Sequence, residues 1–237
     1  MRIVFPKQHG AWAMLSIPFL LGVFKGEPVW SHILLFLAWV FLYVSSYPLS
    51  LVMKGKKTRY YWKWFFIYAI PALLLLIYPI FYNIRIILFG VAMVPFFLTT
   101  LYYSKIKKDR ALINDIVAII IFCIGALTSY YYSTATLDRT AWLIFLYNFL
   151  YFLGTVFYVK TMIRERKNIR YKYVSWSYHI GLVLIFAIIG KFLTALAYLP
   201  AMVRALVLYG KNPRIKIIGI NEIASSLFFF ITMLFAL

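Results

Sequence analysis

Carboxylates are scarce in this chain. Its 237 residues hold 6 Asp and Glu against 25 Lys and Arg, and charged residues of all kinds make up only 13%. A water-soluble domain carries about a quarter charged residues, so the surface that would keep a globule of this size in water is missing. There is one cysteine, Cys123, inside an apolar run, which excludes an internal disulfide and any cysteine-based metal motif. HExxH, GxSxG, P-loop and CxxC patterns are absent too. Their absence removes the usual sequence grounds for zinc hydrolysis, serine hydrolysis, nucleotide chemistry and thiol redox chemistry. No linker, low-complexity tract or strong internal repeat divides the chain.

What is present is apolar. Hydrophobic residues make up 65% of the sequence, in runs near the ~20 residues that cross a bilayer as a helix. In hydrocarbon every backbone polar group needs a partner within its own element, which leaves helices or closed barrels. The runs are continuous rather than alternating, so the expected fold class is all-α: a polytopic membrane helical bundle of about nine transmembrane helices, forming a single transmembrane domain over residues 1–237. The runs predict helices over about 10–24, 29–53, 61–81, 84–103, 111–133, 139–162, 175–190, 192–209 and 215–237. Lys191, Pro200 and Arg204 break the apolar run between residues 191 and 216, and Pro200 is expected to interrupt the eighth helix. Arg2 and Lys7 precede the first run as they would in a signal peptide. No small-x-small cleavage site follows cleanly, and the segment reads as a retained first helix.

The net charge of +19 would suggest nucleic acid in a soluble protein. Here the basic residues cluster between apolar runs, so they read as topology signals and contacts to anionic headgroups, with no nucleic acid. With the N-terminus inside, the nine segments put 21 of the 25 Lys and Arg on the inner side and leave only Lys25, Arg85, Arg139 and Lys191 outside. The expected placement is a multi-pass protein of the cell membrane with a cytoplasmic N-terminus and an outward C-terminus.

Polar side chains at membrane depth usually face protein or water, which makes them candidates for a site. Lys7, Gln8 and His9 stand where the first helix begins, beside Gly10 and Ala13, which permit close backbone approach. Asn114 and Asp115 fall about one turn into the fifth helix. Asp115 can serve a site, or it can cap the helix by pairing with Lys108 or Arg110. Lys160 and Arg164 share a helix face at i, i+4, with Thr155, Tyr158 and Thr161 adding hydroxyls. Together these could clamp a phosphate, or the cations could snorkel to the interface. Glu222 lies about two turns into the ninth helix and needs a partner or a wet cavity, with His179 and Lys160 as candidate partners. Pro48 should bend the second helix, where nearby Ser and Tyr hydroxyls can re-satisfy freed carbonyls. No metal-binding set stands out.

The segments Pro6-Lys7-Gln8-His9-Gly10-Ala11-Trp12-Ala13-Met14 and Thr155-Val156-Phe157-Tyr158-Val159-Lys160 resemble the YwiC-like family of bacterial membrane proteins, over nearly the whole chain. More distantly, the helix count, the topology and the stretch Tyr103-Ser104 … Lys107-Lys108 … Asn114 are similar to the UbiA superfamily of intramembrane prenyltransferases. That resemblance implies a lipid-open cavity on the cytoplasmic side and two aspartate-rich motifs, after helices two and six, that bind Mg²⁺-diphosphate. The matching positions here are Ser46-Tyr47-Pro48-Leu49-Ser50-Leu51-Val52-Met53-Lys54, with no carboxylate, and Tyr158-Val159-Lys160-Thr161-Met162-Ile163-Arg164-Glu165, with only Glu165. Mg²⁺ needs hard oxygen ligands, so these residues do not support a Mg²⁺ cofactor. Lys54, Lys160 and Arg164 stand instead where metal-binding acids would be, and cations can hold an isoprenoid phosphate directly.

The expected function is therefore an inner-facing intramembrane cavity that binds an isoprenoid or another lipid, in a UbiA-like group transferase or a non-catalytic relative. The candidate ligand-binding residues are Lys7, Gln8, His9, Ser46, Lys54, Lys107, Asn114, Asp115, Tyr158, Lys160, Arg164, His179 and Glu222. The alternatives are a membrane transporter and an accessory subunit of a respiratory or quinone-using complex.

Overall fold

A computed structural model describes residues 3–6, 9–55, 58–211 and 213–237, with the backbone alone for His9 and Ile215. The described residues form nine α-helices: α1 His9–Lys25, α2 His32–Met53, α3 Thr58–Tyr82, α4 Ile86–Lys105, α5 Leu112–Thr134, α6 Arg139–Val159, α7 Ile169–Ile188, α8 Phe192–Val207 and α9 Ile215–Ala236. A π-helical turn, Lys160–Arg164, continues α6. Six helices are long and apolar enough to cross a membrane: α2 to α5, α6 with its π turn, and α9. The shorter α1 and α8 are also apolar. The chain is thus a multi-pass helical membrane protein.

Three boundary expectations need correction. α7 begins at Ile169 rather than Ser175, because the Asn168 side chain caps it by accepting a hydrogen bond from the Arg170 N–H at 3.2 Å. Arg170 and Lys172, which looked like loop residues, are helical, and Lys172 lies over the Trp176 ring one turn on, 4.4 Å from its centroid. The α-geometry of α6 stops at Val159, three residues early, where the π turn takes over. Pro200 does not interrupt α8, which runs through it. Pro200 strands one carbonyl, but alanines on both sides of it let α7 and α9 pack closely and hold the helix together.

Contacts divide the chain into two compact units, Met1–Gln8 with Pro18–Phe145, and His9–Ile17 with Leu146–Leu237. In the first unit α2 packs on α3 and α4, and α4 packs on α5. α5 is its buried helix, with a continuous buried series from Phe122 to Leu127. Hydrophobicity gives helices no reason to associate inside lipid, so close packing must hold them. Gly22 supplies it on α1: a side chain there would collide with Ser129 Oγ and the Ala126 carbonyl of α5. Ser129 Oγ donates across the same seam to the Phe19 carbonyl at 2.7 Å. At Gly125 an added Cβ would stand 2.9 Å from the Trp39 ring. By contrast α4 buries only Ile86 and Ser104. Its exposed Leu88, Val91, Val94 and Leu98 form an apolar face suited to lipid.

The second unit packs α7 on α8 and α8 on α9. Gly190, at φ +76°, makes the left-handed turn that reverses α7 into α8. The buried stripe of α8 runs Thr194, Ala195, Ala197, Tyr198, Ala201, Arg204, Ala205. The alanines admit neighbouring backbones, and the larger members carry polar atoms into the interior. Tyr151 of α6 stacks on Phe229 of α9 with centroids 4.0 Å apart, and its hydroxyl donates to Ser226 Oγ at 3.4 Å.

Prolines inside α1, α2, α3, α4 and α8 fit membrane helices, where hydroxyls can bond carbonyls. Near Pro48 the hydroxyls of Ser45, Ser46 and Ser50 donate to the carbonyls of Leu42, Tyr43 and Tyr47 at 2.6–2.7 Å. These are neighbours of the Val44 carbonyl that Pro48 strands, not that carbonyl itself. An i−3 bond is simply the closest reach for a serine in a helix.

Candidate functional site

The second unit holds a buried polar cluster built from four helices. Arg204, three residues from the end of α8, is 5% exposed. Its Nη2 donates to Thr155 Oγ1 of α6 at 2.9 Å, and its Nη1 reaches the Asn221 carbonyl of α9 at 3.5 Å. The guanidinium lies 4.7 Å above the Tyr158 ring, a cation–π contact in a desolvated setting. Glu222 of α9 is also 5% exposed, with Oε2 against Gly10, where an added Cβ would stand 2.9 Å away. Arg204 acts on Glu222 electrostatically. No ion pair joins them: among the described residues no carboxylate lies within 4.0 Å of Arg204. His179 of α7 donates from Nδ1 to the Ser175 carbonyl at 2.7 Å, which leaves Nε2 as an acceptor facing Gly154 and Tyr178.

Four buried polar atoms here have no hydrogen-bond partner: Arg204 Nε, Tyr158 Oη, His179 Nε2 and Glu222 Oε1. Each orphan costs about 1–3 kcal/mol if nothing pairs it. All four lie in the second unit, in the cluster around Arg204. The cluster has a sense of depth. Glu222 is the eighth residue of α9, about 10 Å along a helix rising 1.5 Å per residue. Near the same helix ends, a pocket of about 270 Å³ is lined by Thr161, Met162, Arg166, Tyr209 and Gly210. Met162 also belongs to the apolar cluster formed with Tyr158, Ala205 and Ile218.

The first unit holds a second polar group at its α2 and α4–α5 ends. Lys54 Nζ pairs with Asp109 Oδ2 at 2.9 Å, Ser104 Oγ donates to Asp109 Oδ1 at 2.9 Å, and Asn114 Nδ2 donates to the Asp109 carbonyl at 2.7 Å. Burial works against ionisation of Asp109, but the hydrogen bonds from Lys54 and Ser104 outweigh it and hold this carboxyl below its ordinary range. Lys107 is exposed, with φ +57° in the connecting turn. This group ties the α4–α5 connection to the end of α2, and it leaves Lys54 engaged.

The expected residues thus separate. Tyr158, His179 and Glu222 meet around Arg204, and Lys160, 5% exposed, follows Tyr158 into the π turn. Arg164 ends that turn and is exposed. Ser46, Lys54, Lys107, Asn114 and Asp115 belong to the first unit, where Asp115 stands in the first turn of α5 and Ser46 spends its hydroxyl on its own helix. Lys7 and Gln8 lie outside the described residues, as does the side chain of His9. Arg204, which was not expected as a partner of Glu222, acts on it electrostatically, because α8 lies against α9 and carries its arginine to that level.

Sequence reasoning missed Arg204 as a site residue and treated it as a break in the apolar run, whereas Thr155 was expected as a hydroxyl of a phosphate clamp. The signal that could have found Arg204 is its place on the Thr194–Tyr198–Ala201 face of α8. Among the described residues no three His, Cys, Asp or Glu side chains gather to hold a metal ion. The donor set around Arg204 is cationic and hydroxylic, which fits an anion and not Mg²⁺.

Fold and site together define a multi-pass helical membrane protein with a buried, arginine-centred polar cluster. The chain belongs to the YwiC-like family, whose profile, described as "YwiC-like protein", matches residues 5–130. It is 44% identical over 233 residues to "Uncharacterized protein YwiC" of Bacillus subtilis (strain 168), covering 98% of each chain. It is 39% identical over 236 residues to an "Uncharacterized protein" of Haemophilus influenzae, covering 100% of this chain and 99% of that one. No solved structure matches.

Proposed function

We propose that this protein binds the anionic head of an isoprenoid or another membrane lipid at the Arg204 cluster, with the apolar tail among its helices. The observation that carries this reading is Arg204 itself. It is a permanent cation, 5% exposed, bonded to a neutral hydroxyl and a carbonyl, and it has an unpaired Nε. A buried cation that touches no carboxylate is costly, and a phosphate oxygen would relieve that cost with charge-assisted bonds. Tyr158 Oη and the buried Lys160 supply further donors in the same unit. The basic connections suit a cytoplasmic face that attracts anionic headgroups. A carrier or a transferase relative that activates its substrate with cations instead of Mg²⁺ fits these residues.

The test is native mass spectrometry of protein purified in mild detergent. The wild type should retain a phosphate-bearing lipid, and Arg204→Gln should lower its occupancy by about tenfold to a hundredfold, the equivalent of ~1.5–3 kcal/mol for a charged hydrogen bond. Lys160→Ala should show a smaller loss. Wild-type protein without such a lipid, or an Arg204→Gln variant with equal occupancy, would refute the reading. The N-in orientation rests on the loop charges. It predicts that a cysteine placed at Lys108 is labelled only from the cytoplasmic side and one at Asp138 only from the outside.

Transport is a second reading with its own observation. Polar contacts in this unit continue away from Arg204, through Tyr151 with Ser226, then Tyr198 Oη donating to the Tyr147 carbonyl at 2.8 Å, to Lys191 Nζ donating to Tyr147 Oη at 2.9 Å. Anion flux into liposomes that Arg204→Gln abolishes would favour it.

A further inference from the structure

Resting on the lipid-binding reading, we infer that the Arg204 site takes up its anion together with one proton, which lodges on Glu222. The geometry gives the reason. Arg204 and Glu222 are each 5% exposed and sit on packed helices, and Arg204 is the cation that acts on the carboxyl. Glu222 Oε1 has no hydrogen-bond partner, and Oε2 is closed off on one side by Gly10 of α1. An empty site therefore contains one cation and one potential anion that balance through space without touching. When a phosphate ester binds Arg204, an ionised Glu222 would leave two negative groups facing one guanidinium in a medium that screens them poorly. Protonating Glu222 removes that repulsion and turns the carboxyl into a donor for the arriving oxyanion.

Among the described residues, His179, with its open Nε2, is the one other group that could take up this proton, and Glu222→Gln distinguishes the two. From α6, Tyr151 and Tyr158 act on Glu222, and Tyr151 is held by Ser226. From α7, His179 lies within the field of Arg204, and its Nδ1 is committed to the Ser175 carbonyl. From α8 comes Arg204, and from α1, among the described side chains, comes Gly10. Glu222 is the single carboxylate in this set, so it is the group whose charge opposes the ligand. By linkage the anion and the proton then strengthen each other's binding equally.

The experiment is isothermal titration of the full-length protein in detergent micelles with dioleoyl phosphatidylglycerol. This phosphodiester keeps a fixed charge across the pH range used, and each titration is run in two buffers of different ionisation heat. Wild-type protein should take up about one proton per lipid, and its affinity should weaken by up to about tenfold per pH unit above the Glu222 transition. Glu222→Gln should bind with no proton uptake and with a pH-independent affinity matching the wild type at low pH. Wild-type binding that is flat in pH with no proton taken up overturns the inference and leaves lipid binding standing. Absence of binding at every pH overturns both. A parallel titration with inorganic sulfate separates the ligand sources: sulfate binding as tightly, with the same proton, would overturn the lipid assignment. The wild-type buffer comparison decides the matter even if Glu222→Gln fails to fold.

Discussion

Two buried histidines show how differently the two units treat polar groups. In the first unit His32 is satisfied at both ring nitrogens: Nδ1 accepts from the Val29 N–H at 3.1 Å, and Nε2 donates to the Ser129 carbonyl at 2.9 Å. In the second unit His179 makes one bond, at Nδ1, and Nε2 has none. The contrast extends to their neighbours. Tyr132 donates to Ser31 at 2.7 Å and Asp109 is bound by Lys54 and Ser104, while Arg204, Tyr158 and Glu222 each keep an unpaired atom. Trp64 Nε1 and Asn114 Oδ1 are scattered exceptions in the first unit. Closed networks hold the helices of the first unit together, and in the second unit open valences gather around Arg204.

The comparison can be broken by experiment. The largest effect is expected at Gly22. Gly22→Val drives a side chain into Ser129 and Ala126 and should destabilise by about 3–5 kcal/mol, read as loss of folded protein in fluorescence-detected size-exclusion melts. Next, His32→Leu strands the Val29 N–H and should cost about 2–4 kcal/mol, whereas His179→Leu should cost less because the Ser175 carbonyl keeps its helical backbone partner. Equal losses in thermal melts would erase the distinction between closed and open networks. The smallest effect belongs to the half-exposed Lys54–Asp109 pair, which surface screening holds to ~1 kcal/mol or less. Because the folded Asp109 carboxyl titrates below its unfolded value, its contribution is full above about pH 4 and is lost as pH falls through the depressed folded value. Wild-type protein should therefore lose its advantage over Lys54→Met on acidification, and the gap should also narrow in high salt.

Much of the architecture was readable because lipid leaves few options. Continuous apolar runs can only be helices, and the nine expected segments correspond one to one with α1–α9. The site was readable where a residue was out of place: Glu222, two turns into an apolar helix, announced itself by its cost. Arg204 did not, because an arginine near a helix end reads equally well as a snorkelling side chain. Only the packing of α8 between α7 and α9 makes it a buried cation. Lys54 and Asp109 lie 55 residues apart, and no local pattern relates them. The basic start of α7 was misread because charge was taken as a loop signal, while the decisive element was the short Asn168 side chain.

The π turn after Val159 adds one residue to the circumference of the helix at the point where Tyr158 and Lys160 both become buried. Such a turn absorbs the added residue without changing the angular phase of everything beyond it. Deleting a single residue between Lys160 and Arg164 should let α6 rewind with ordinary spacing and leave the following side chains close to their present faces, because the wide turn holds that residue as an extra one. Scanning deletions along the chain should meet tolerance in the exposed connections, sharp losses inside the regular helices, and an island of tolerance at this one turn, where the chain's reading frame in space is set.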